Sequence, residues 1–272
     1  MAMGYNALAI QTTDGEYNTA VGNYTLDNNT IGDRNVALGY VALTANSEGS
    51  KNTGIGTSSS KANTTGSQNT SVGNSSLYSN TSASYNTAIG GRALYNANRT
   101  SDTDGYNTAL GYNAGNTGTN DITTGNKNTL LGASTAASAA AGTNQTVIGF
   151  GASGVADNSV TIGNSDVTAW YPGADNTADL GSSSVEFKDL YIDGTANLDA
   201  VDIDGGAIDG TAIGANSAST GAFTTITAST SVDVNGSTGI ILENDETITN
   251  STNGTVLING TVAGGTGSAA GV

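Results

Sequence analysis

The stretch Asn86-Thr-Ala-Ile-Gly90 returns almost unchanged as Asn107-Thr-Ala-Leu-Gly111, and Asn18-Thr-Ala-Val-Gly22 is a third copy. Weaker copies end at further glycines, and most successive glycines of the repeat have the same spacing as Gly22 and Gly39. These glycines are Gly4, Gly22, Gly39, Gly56, Gly73, Gly90, Gly111, Gly132, Gly149 and Gly163. A period this short and this persistent indicates a solenoid of stacked coils.

One short β-strand per coil is predicted from the residues before each glycine. A large aliphatic residue comes just before the glycine, a β-branched residue comes two positions earlier, and the residue between them is mostly small. Such alternation is typical of strands. We expect the large aliphatic residues to face the interior, so that aspartate in place of Ile89 should destabilise the coil. A second apolar column predicts a second strand, and its members are Leu8, Leu26, Leu43, Leu77 and Leu94.

An asparagine column runs through the repeats, one residue before each predicted strand. Its members are Asn18, Asn35, Asn52, Asn69, Asn86, Asn107 and Asn128. Side chains that stack at strand spacing can hydrogen-bond along the column as a ladder. No stretch has helical periodicity and the chain contains 39 glycines, which disfavour helices. We therefore interpret even the alanine-rich segment 133–141 as the corner of a coil.

A single stack of these coils has little apolar surface with which to offset its loss of conformational entropy. Each coil carries two or three aliphatic side chains, and most other positions hold Asn, Ser, Thr, Asp or Gly. The many small side chains suit close packing against sister chains. We therefore expect three copies of the chain around one axis.

The repeat carries a resemblance to a known family. Asn-Thr-Ala-Ile-Gly and Asn158-Ser-Val-Thr-Ile-Gly163 resemble the Asn-Ser-Val-Ala-Ile-Gly repeat of YadA-like heads in trimeric autotransporter adhesins. The resemblance covers about residues 1–168 and implies an all-β fold, a left-handed parallel β-roll that forms an intertwined homotrimer. The usual unit of the family is shorter than most of these coils, which therefore differ from it in their loops.

A second module is predicted at residues 169–272, because the period stops after Thr168. The only Trp and the only Pro of the chain follow there, in Trp170-Tyr171-Pro172, and we expect Trp170 to be buried at the joint. Segments 179–194 and 213–229 resemble stretches of bacteriophage tail-fibre proteins, especially marine ones. Alternation at 200–204 and 255–259 predicts strands, so we expect an acidic fibrous β module that continues or is disordered at its C-terminus.

The two resemblances together imply a structural and adhesive fibre of a phage virion. Its expected partners are two further copies of the chain, other virion proteins and a host cell-surface polysaccharide or protein receptor, and its expected location is extracellular, on the virion. The chain begins in register with the repeats, which favours this function over that of a secreted autotransporter. A bacterial trimeric autotransporter-type adhesin head is the alternative, and a polysaccharide-degrading tailspike is a minor one.

The composition limits the kinds of functional site that the chain can form. The chain has neither Cys nor His, which excludes disulfides, thiol catalysis and histidine metal sites. We expect no enzyme activity and no cofactor or metal. An acidic cluster between 193 and 209 matches no Ca²⁺ loop and is interpreted as a solvated strand face. The net charge is −4 for residues 1–169 and −12 for residues 170–272, which argues against nucleic acid as a partner, and no apolar run is long enough for membrane insertion.

Two coils, those ending at Gly111 and Gly132, are four residues longer than their neighbours. Their extra residues are expected near 98–101 and 116–121, at one corner of successive coils. Loops on a rigid scaffold often carry binding residues, and nearby arginines can meet acidic sugars. The candidate receptor contacts are Arg92, Asn98, Arg99, Thr100, Ser101, Asn116, Thr117, Thr119, Asn120 and Asp121.

Two further columns allow other surface functions. Tyrosines can bind sugars but more often pack over the corner of a coil, and they precede the asparagine column or follow the glycine at Tyr5, Tyr17, Tyr40, Tyr85, Tyr106 and Tyr112. A threonine column is also a feature of ice-binding solenoids. Ice binding is disfavoured here because the threonine is expected to share a face with the buried aliphatic residue.

Overall fold

The computed structural model describes residues 1–10, 15–100, 104–174, 177–194 and 196. Its ten strands form one parallel sheet in chain order, each strand pairing with the next along the sequence. The strands are β1 (Ala2–Met3), β2 (Thr19–Val21), β3 (Val36–Leu38), β4 (Thr53–Ile55), β5 (Thr70–Val72), β6 (Thr87–Ile89), β7 (Thr108–Leu110), β8 (Thr129–Leu131), β9 (Thr146–Ile148) and β10 (Val160–Ile162). The predicted all-β solenoid is confirmed, with about nine turns.

The register of the sheet follows the repeat. Ala88 pairs with Ala109 and Ile89 pairs with Leu110, although one of the two longer coils separates them. The extra residues of the long coils therefore lie outside the strands, and the sheet continues through these coils without a shift.

From β2 to β9 the middle residue of each strand is buried in the interior, whereas the large aliphatic residue points outward. Ala88 and Ala109 are fully buried, but Ile89 is 37% exposed and Leu110 is 45% exposed. The expectation that the aliphatic column lines the interior was wrong. The interior is narrow: a Cβ on Gly54 would lie only 3.0 Å from the Cγ of Leu43. The strand position opposite each leucine therefore has room only for a small residue.

The predicted second strand is instead a tight turn that directs the leucines inward. Val41 and Leu43 have φ angles of +52° and +51°, in the left-handed region. The side chain of Leu43 is nevertheless fully buried. In the coil that begins at Gly111, the large and the small residue change places. Gly115 stands at the position of the leucine, and the buried Leu130 stands at the strand position that is small in most other coils. The two are in contact, since a Cβ on Gly115 would lie 3.0 Å from Cδ1 of Leu130.

The predicted asparagine ladder is confirmed, and we call it the strand-side ladder. The backbone N–H of Asn52 donates to Oδ1 of Asn35 at 2.9 Å, and the N–H of Asn69 donates to Oδ1 of Asn52 at 2.9 Å. These asparagines are almost completely buried. Because every coil receives a bond from the next one, the ladder ties successive coils together.

A second ladder was not predicted from the sequence; we call it the turn-side ladder, and it consists of Asn29, Asn46, Asn63 and Asn80. From Asn46 onward, each side-chain amide donates to Oδ1 of the asparagine in the previous coil, at 2.7–2.9 Å. The two ladders meet at one carbonyl per coil. The oxygen of Gly66, for example, accepts from Asn52 Nδ2 at 2.8 Å and from Asn63 Nδ2 at 2.9 Å. The turn-side ladder stops at Asn80, whose Oδ1 is buried without a hydrogen-bond partner, because the next coil has Ala97 at this position.

A layer of buried serines divides the apolar core into two clusters. One cluster contains Leu26 and Leu43, and the other begins at Leu77. Between them, Ser60 occupies the leucine position and its hydroxyl lies 2.8 Å from that of Ser71. The solenoid therefore has a polar layer at this coil.

The last coil is held partly by a carboxylate. Oδ1 of Asp157 accepts from the N–H of Thr143 at 2.8 Å and from Nε2 of Gln145 at 3.0 Å. The bond from the Thr143 backbone lowers the pKa of Asp157 below its ordinary value of 3.8, and the bond from Gln145 lowers it further.

Beyond β10 the described residues form no further strand. Trp170 is 77% exposed in the single chain, so its predicted burial is not found there. The chain divides between Lys188 and Asp189 into two units. The module boundary at 168/169 stays a prediction, and the expected strands at 200–204 and 255–259 lie outside the described residues. The described part of the chain contains no helix that is long and apolar enough to cross a membrane.

Candidate functional site

The outward face of the sheet is the first candidate interaction surface. From β2 onward, the first and last residues of each strand point outward and are half-buried or exposed. The last residue of each of these strands is Val, Leu or Ile, and the first is Thr or Val. The face is therefore a regular surface of aliphatic and threonine side chains. The threonines do share a side with the aliphatic column, as expected, but that side is the exterior.

The first long coil places its extra residues after Arg99. Up to that point it follows the previous coil with the ordinary offset of 17 residues, since the backbone N–H of Thr81 donates to Oδ1 of Asn98 at 3.1 Å. Pairing resumes at Asp104, which bridges to Ser84. Thr100 is exposed. Ser101 lies outside the described residues.

The second long coil forms a closed loop at 116–121. The N–H of Gly118 donates to Oδ1 of Asp121 at 2.6 Å, and the N–H of Ile122 donates to the carbonyl of Gly115 at 2.9 Å. Ile122 is fully buried and anchors the end of the loop. Asn116 is buried, whereas Thr119 is exposed and Thr117 and Asn120 are half-buried.

Asn96 of the first long coil joins this loop, and the sequence analysis did not identify it. Its side-chain amide donates to Oδ2 of Asp121 at 2.7 Å and to Oδ1 of Asn116 at 3.1 Å. Asn96 and Asp121 are far apart in sequence, and the stacking of the coils brings their side chains together.

The two insertions are neighbours but lie at different points of their coils. The N–H of Asn98 donates to the carbonyl of Thr123 at 2.7 Å, and the guanidinium of Arg99 donates to the carbonyl of Thr124. The first insertion thus starts beside 123–124, just after the loop at 116–121. Arg92 is exposed, and its guanidinium carbon lies 4.9 Å from the ring centre of Tyr95.

The side chains of this region are mostly uncharged donors and acceptors of hydrogen bonds. The region offers amides, hydroxyls and guanidinium groups, and the carboxylate of Asp121 is occupied by hydrogen bonds from Gly118 and Asn96. Among the described residues, no three acidic side chains are grouped so that they could hold a metal ion. The receptor role of the ten candidate residues stays a prediction.

Comparisons with family models, with curated proteins and with solved structures give no match to this chain. The resemblance to YadA-like heads and to phage fibres therefore depends on the residues quoted above.

Proposed function

We propose that this chain is a segment of a phage virion fibre, in which three identical copies present an extracellular surface for attachment to host cells. The observation that carries the proposal is the aliphatic outward face of the sheet. Val, Leu or Ile recurs on this face in each of nine consecutive strands, from β2 to β10. Apolar surfaces this continuous are rare on monomers and typically mark interaction sites.

A second and a third copy of the chain fit this face best. A face that repeats once per coil matches another face with the same repeat, because every coil then makes the same contact. Closed rotational symmetry satisfies all such faces without leaving one free. Burial of the exposed fraction of each aliphatic residue adds a favourable term that a lone stack does not have.

The segment after β10 supports association. Trp170, Tyr171 and Leu180 are 77%, 83% and 71% exposed, and with Pro172, Ala178 and the charged Asp179 they line an open groove of about 390 Å³. Transfer of large apolar side chains out of water is favourable, so this segment is expected to pack against the same segment of the other copies.

The phage assignment depends on segments 179–194 and 213–229, which resemble tail-fibre stretches, and other virion proteins are the expected partners at the ends of the fibre. Attachment would work by avidity, since three weak sites on one rigid body bind a repetitive surface more tightly than one. An autotransporter-type adhesin head shares the trimer, and imaging of the intact particle distinguishes the two. A tailspike would release reducing sugars from capsular polysaccharide.

The mass in solution tests the trimer. Light scattering on the purified chain should give three times 26.8 kDa. The double variant Ile89→Asp/Leu110→Asp should yield a folded protein of lower mass, because these outward residues do not form the interior. Ala88→Asp is the matched control and should unfold the coil, because it puts a charge in the buried interior. A folded wild-type monomer would refute the trimer.

Ice binding is a second candidate, because the threonine column points outward. The sequence-based objection assumed that this side was buried, and the first residue of each strand is in fact half-buried or exposed. A monomer with thermal hysteresis activity that Thr87→Tyr removes would favour ice binding over the trimer.

A further inference from the structure

A column of nine exposed residues runs along one corner of the solenoid, two positions before each strand from β2 to β10. We call it the corner ridge: Tyr17, Arg34, Lys51, Gln68, Tyr85, Tyr106, Lys127, Asn144 and Asn158. Backbone hydrogen bonds keep the column in line. The N–H of Lys51 donates to the carbonyl of Asp33 at 2.9 Å, and the N–H of Gln68 donates to that of Ser50 at 3.0 Å.

The backbone of the corner ridge does not explain its residue types. All nine residues have left-handed φ angles, between +48° and +63°. This conformation costs most residues roughly 1–2 kcal/mol, and only Gly, Asn and Asp adopt it readily. Asn144 and Asn158 follow this preference, whereas the other seven coils keep Tyr, Arg, Lys or Gln. Their side chains are exposed, so packing of the core does not explain them either.

The residues of the corner ridge carry only positive charge in an acidic protein, and the carboxylates of Asp33 and Asp104 lie beside Arg34 and Tyr106. The corner ridge holds three of the seven basic residues of the chain and none of the 23 acidic ones. The guanidinium of Arg34 pairs with Asp33 and lies 5.5 Å from the ring centre of Tyr17. No salt bridge of Lys51 or Lys127 is found among the described residues. Their two charges are therefore available to an anion.

Two tyrosines of the corner ridge stack on each other. The rings of Tyr85 and Tyr106 have their centres 4.8 Å apart and an interplanar angle of 9°. Nucleobases bind by stacking on open aromatic faces, and this stack covers one face of each ring. The hydroxyl of Tyr106 donates to Oδ2 of Asp104 at 3.3 Å. Sugar hydroxyls bind by hydrogen bonds, which the hydroxyl of Tyr85 can supply.

The density of charge also favours a sugar polymer. Six coil steps separate Tyr17 from Lys127, which is about 29 Å at about 4.8 Å per step. Two cations without a salt bridge among the described residues are few over this length for a nucleic acid, where each strand of a duplex carries a phosphate about every 3.4 Å. A polysaccharide with occasional acidic groups matches the ridge more closely.

We propose that the corner ridge binds a strand of acidic polysaccharide that lies along the solenoid axis. Lys51 and Lys127 contact its anionic groups, and the hydroxyl of Tyr85 contacts its sugar hydroxyls. This inference rests on the proposed attachment function and names the class of receptor. It places the contact on the ridge, away from the insertions of the long coils.

The probe is hyaluronate, which has one carboxylate per disaccharide, with the more densely charged alginate and polygalacturonate and with neutral dextran for comparison, and binding is measured on the full chain by surface plasmon resonance. Lys51→Gln/Lys127→Gln should weaken binding to the acidic polymers by about tenfold, because two charge-assisted contacts are lost. Lys61→Gln/Lys188→Gln removes the same two charges away from the ridge and should leave the affinity within about twofold. Tyr85→Phe should also weaken binding, because it removes the hydroxyl but keeps the ring.

Four results would overturn the inference: no binding to any acidic polymer, equal loss in both lysine double variants, tighter binding to an oligodeoxythymidine, or a change of mass in the ridge variants. The last result would assign the ridge to a contact between copies. A trimer that binds none of the polymers refutes the ridge alone. A monomer that binds them through Lys51 and Lys127 refutes the trimer and supports the ridge.

Discussion

Replacement of Asn52 by alanine measures how strongly buried amides hold the coils together. Asn52 is 1% exposed and belongs to the strand-side ladder. Its Oδ1 accepts from the N–H of Asn69 at 2.9 Å, and its Nδ2 donates to the carbonyl of Gly66 at 2.8 Å. Alanine removes both bonds. Gly66 keeps its second donor, Asn63, but the buried N–H of Asn69 loses its acceptor.

The expected loss follows from these two groups. A buried donor left without an acceptor costs about 1–3 kcal/mol, and the second lost bond costs about 1 kcal/mol. Asn52→Ala should therefore lower the free energy of unfolding by about 2–4 kcal/mol. Asn28→Ala is the matched control, because Asn28 is exposed and its amide also makes two bonds, to the carbonyl of Thr44 at 2.9 Å and to Oδ1 of Asp27 at 3.3 Å. Its loss should stay below about 1 kcal/mol.

Urea unfolding followed by circular dichroism measures both variants. The protein concentration must be the same throughout, because association contributes to the measured stability. Equal losses for Asn52→Ala and Asn28→Ala would refute the reasoning, since burial would then not decide the cost of a missing amide.

Three further changes test the core and the last coil. Ala97→Asn should stabilise the fold by about 1 kcal/mol, because the new amide can donate to the unpaired Oδ1 of Asn80. A lower melting temperature of the variant would contradict this. Ser60→Leu/Ser71→Ala should raise the free energy of unfolding by about 1–2 kcal/mol, because it replaces the polar layer by the leucine–alanine pattern of neighbouring coils, whereas Ser60→Leu alone should gain less. The lowered pKa of Asp157 means that its contribution is fully present above its unfolded pKa, about 3.8, and is lost as the pH falls through the lower folded pKa. In the wild type, the amides of the last coil should therefore lose protection from hydrogen exchange at low pH, and Asp157→Asn should abolish this pH dependence. The same dependence of protection on pH in the wild type and the variant would contradict the prediction.

The period, the strands and their register could be predicted from sequence, because each depends on residues that recur within one coil. The orientation of the strands could not. Alternation with a period of two defines two faces but does not say which is inside. Here the inside is decided by the turn, where Leu43 has a φ of +51° and points to the interior. Leucine does not favour this conformation, so a leucine in the sequence gives no indication of the turn.

The candidate site was predictable in part. Counting residues locates the two insertions, because the coil length is otherwise regular. Their placement depends on stacking between coils, as in the bonds from Asn96 to Asn116 and Asp121. The turn-side ladder did leave a signal in the sequence, since its asparagines recur once per coil at a constant spacing from Asn29 to Asn80.

Both asparagine ladders have a direction, and it is the direction of protein synthesis. Asn35 of one coil donates to Asn18 of the coil before it, and Asn46 donates to Asn29 in the same sense. Between the asparagines of each ladder, the earlier coil supplies the acceptor oxygen and the later coil supplies the N–H. The strand-side amides also donate forward, as Nδ2 of Asn52 does to the carbonyl of Gly66. A folded coil thus presents acceptor oxygens to the coil that follows it in synthesis, and that coil in turn completes the hydrogen bonds of the one before it.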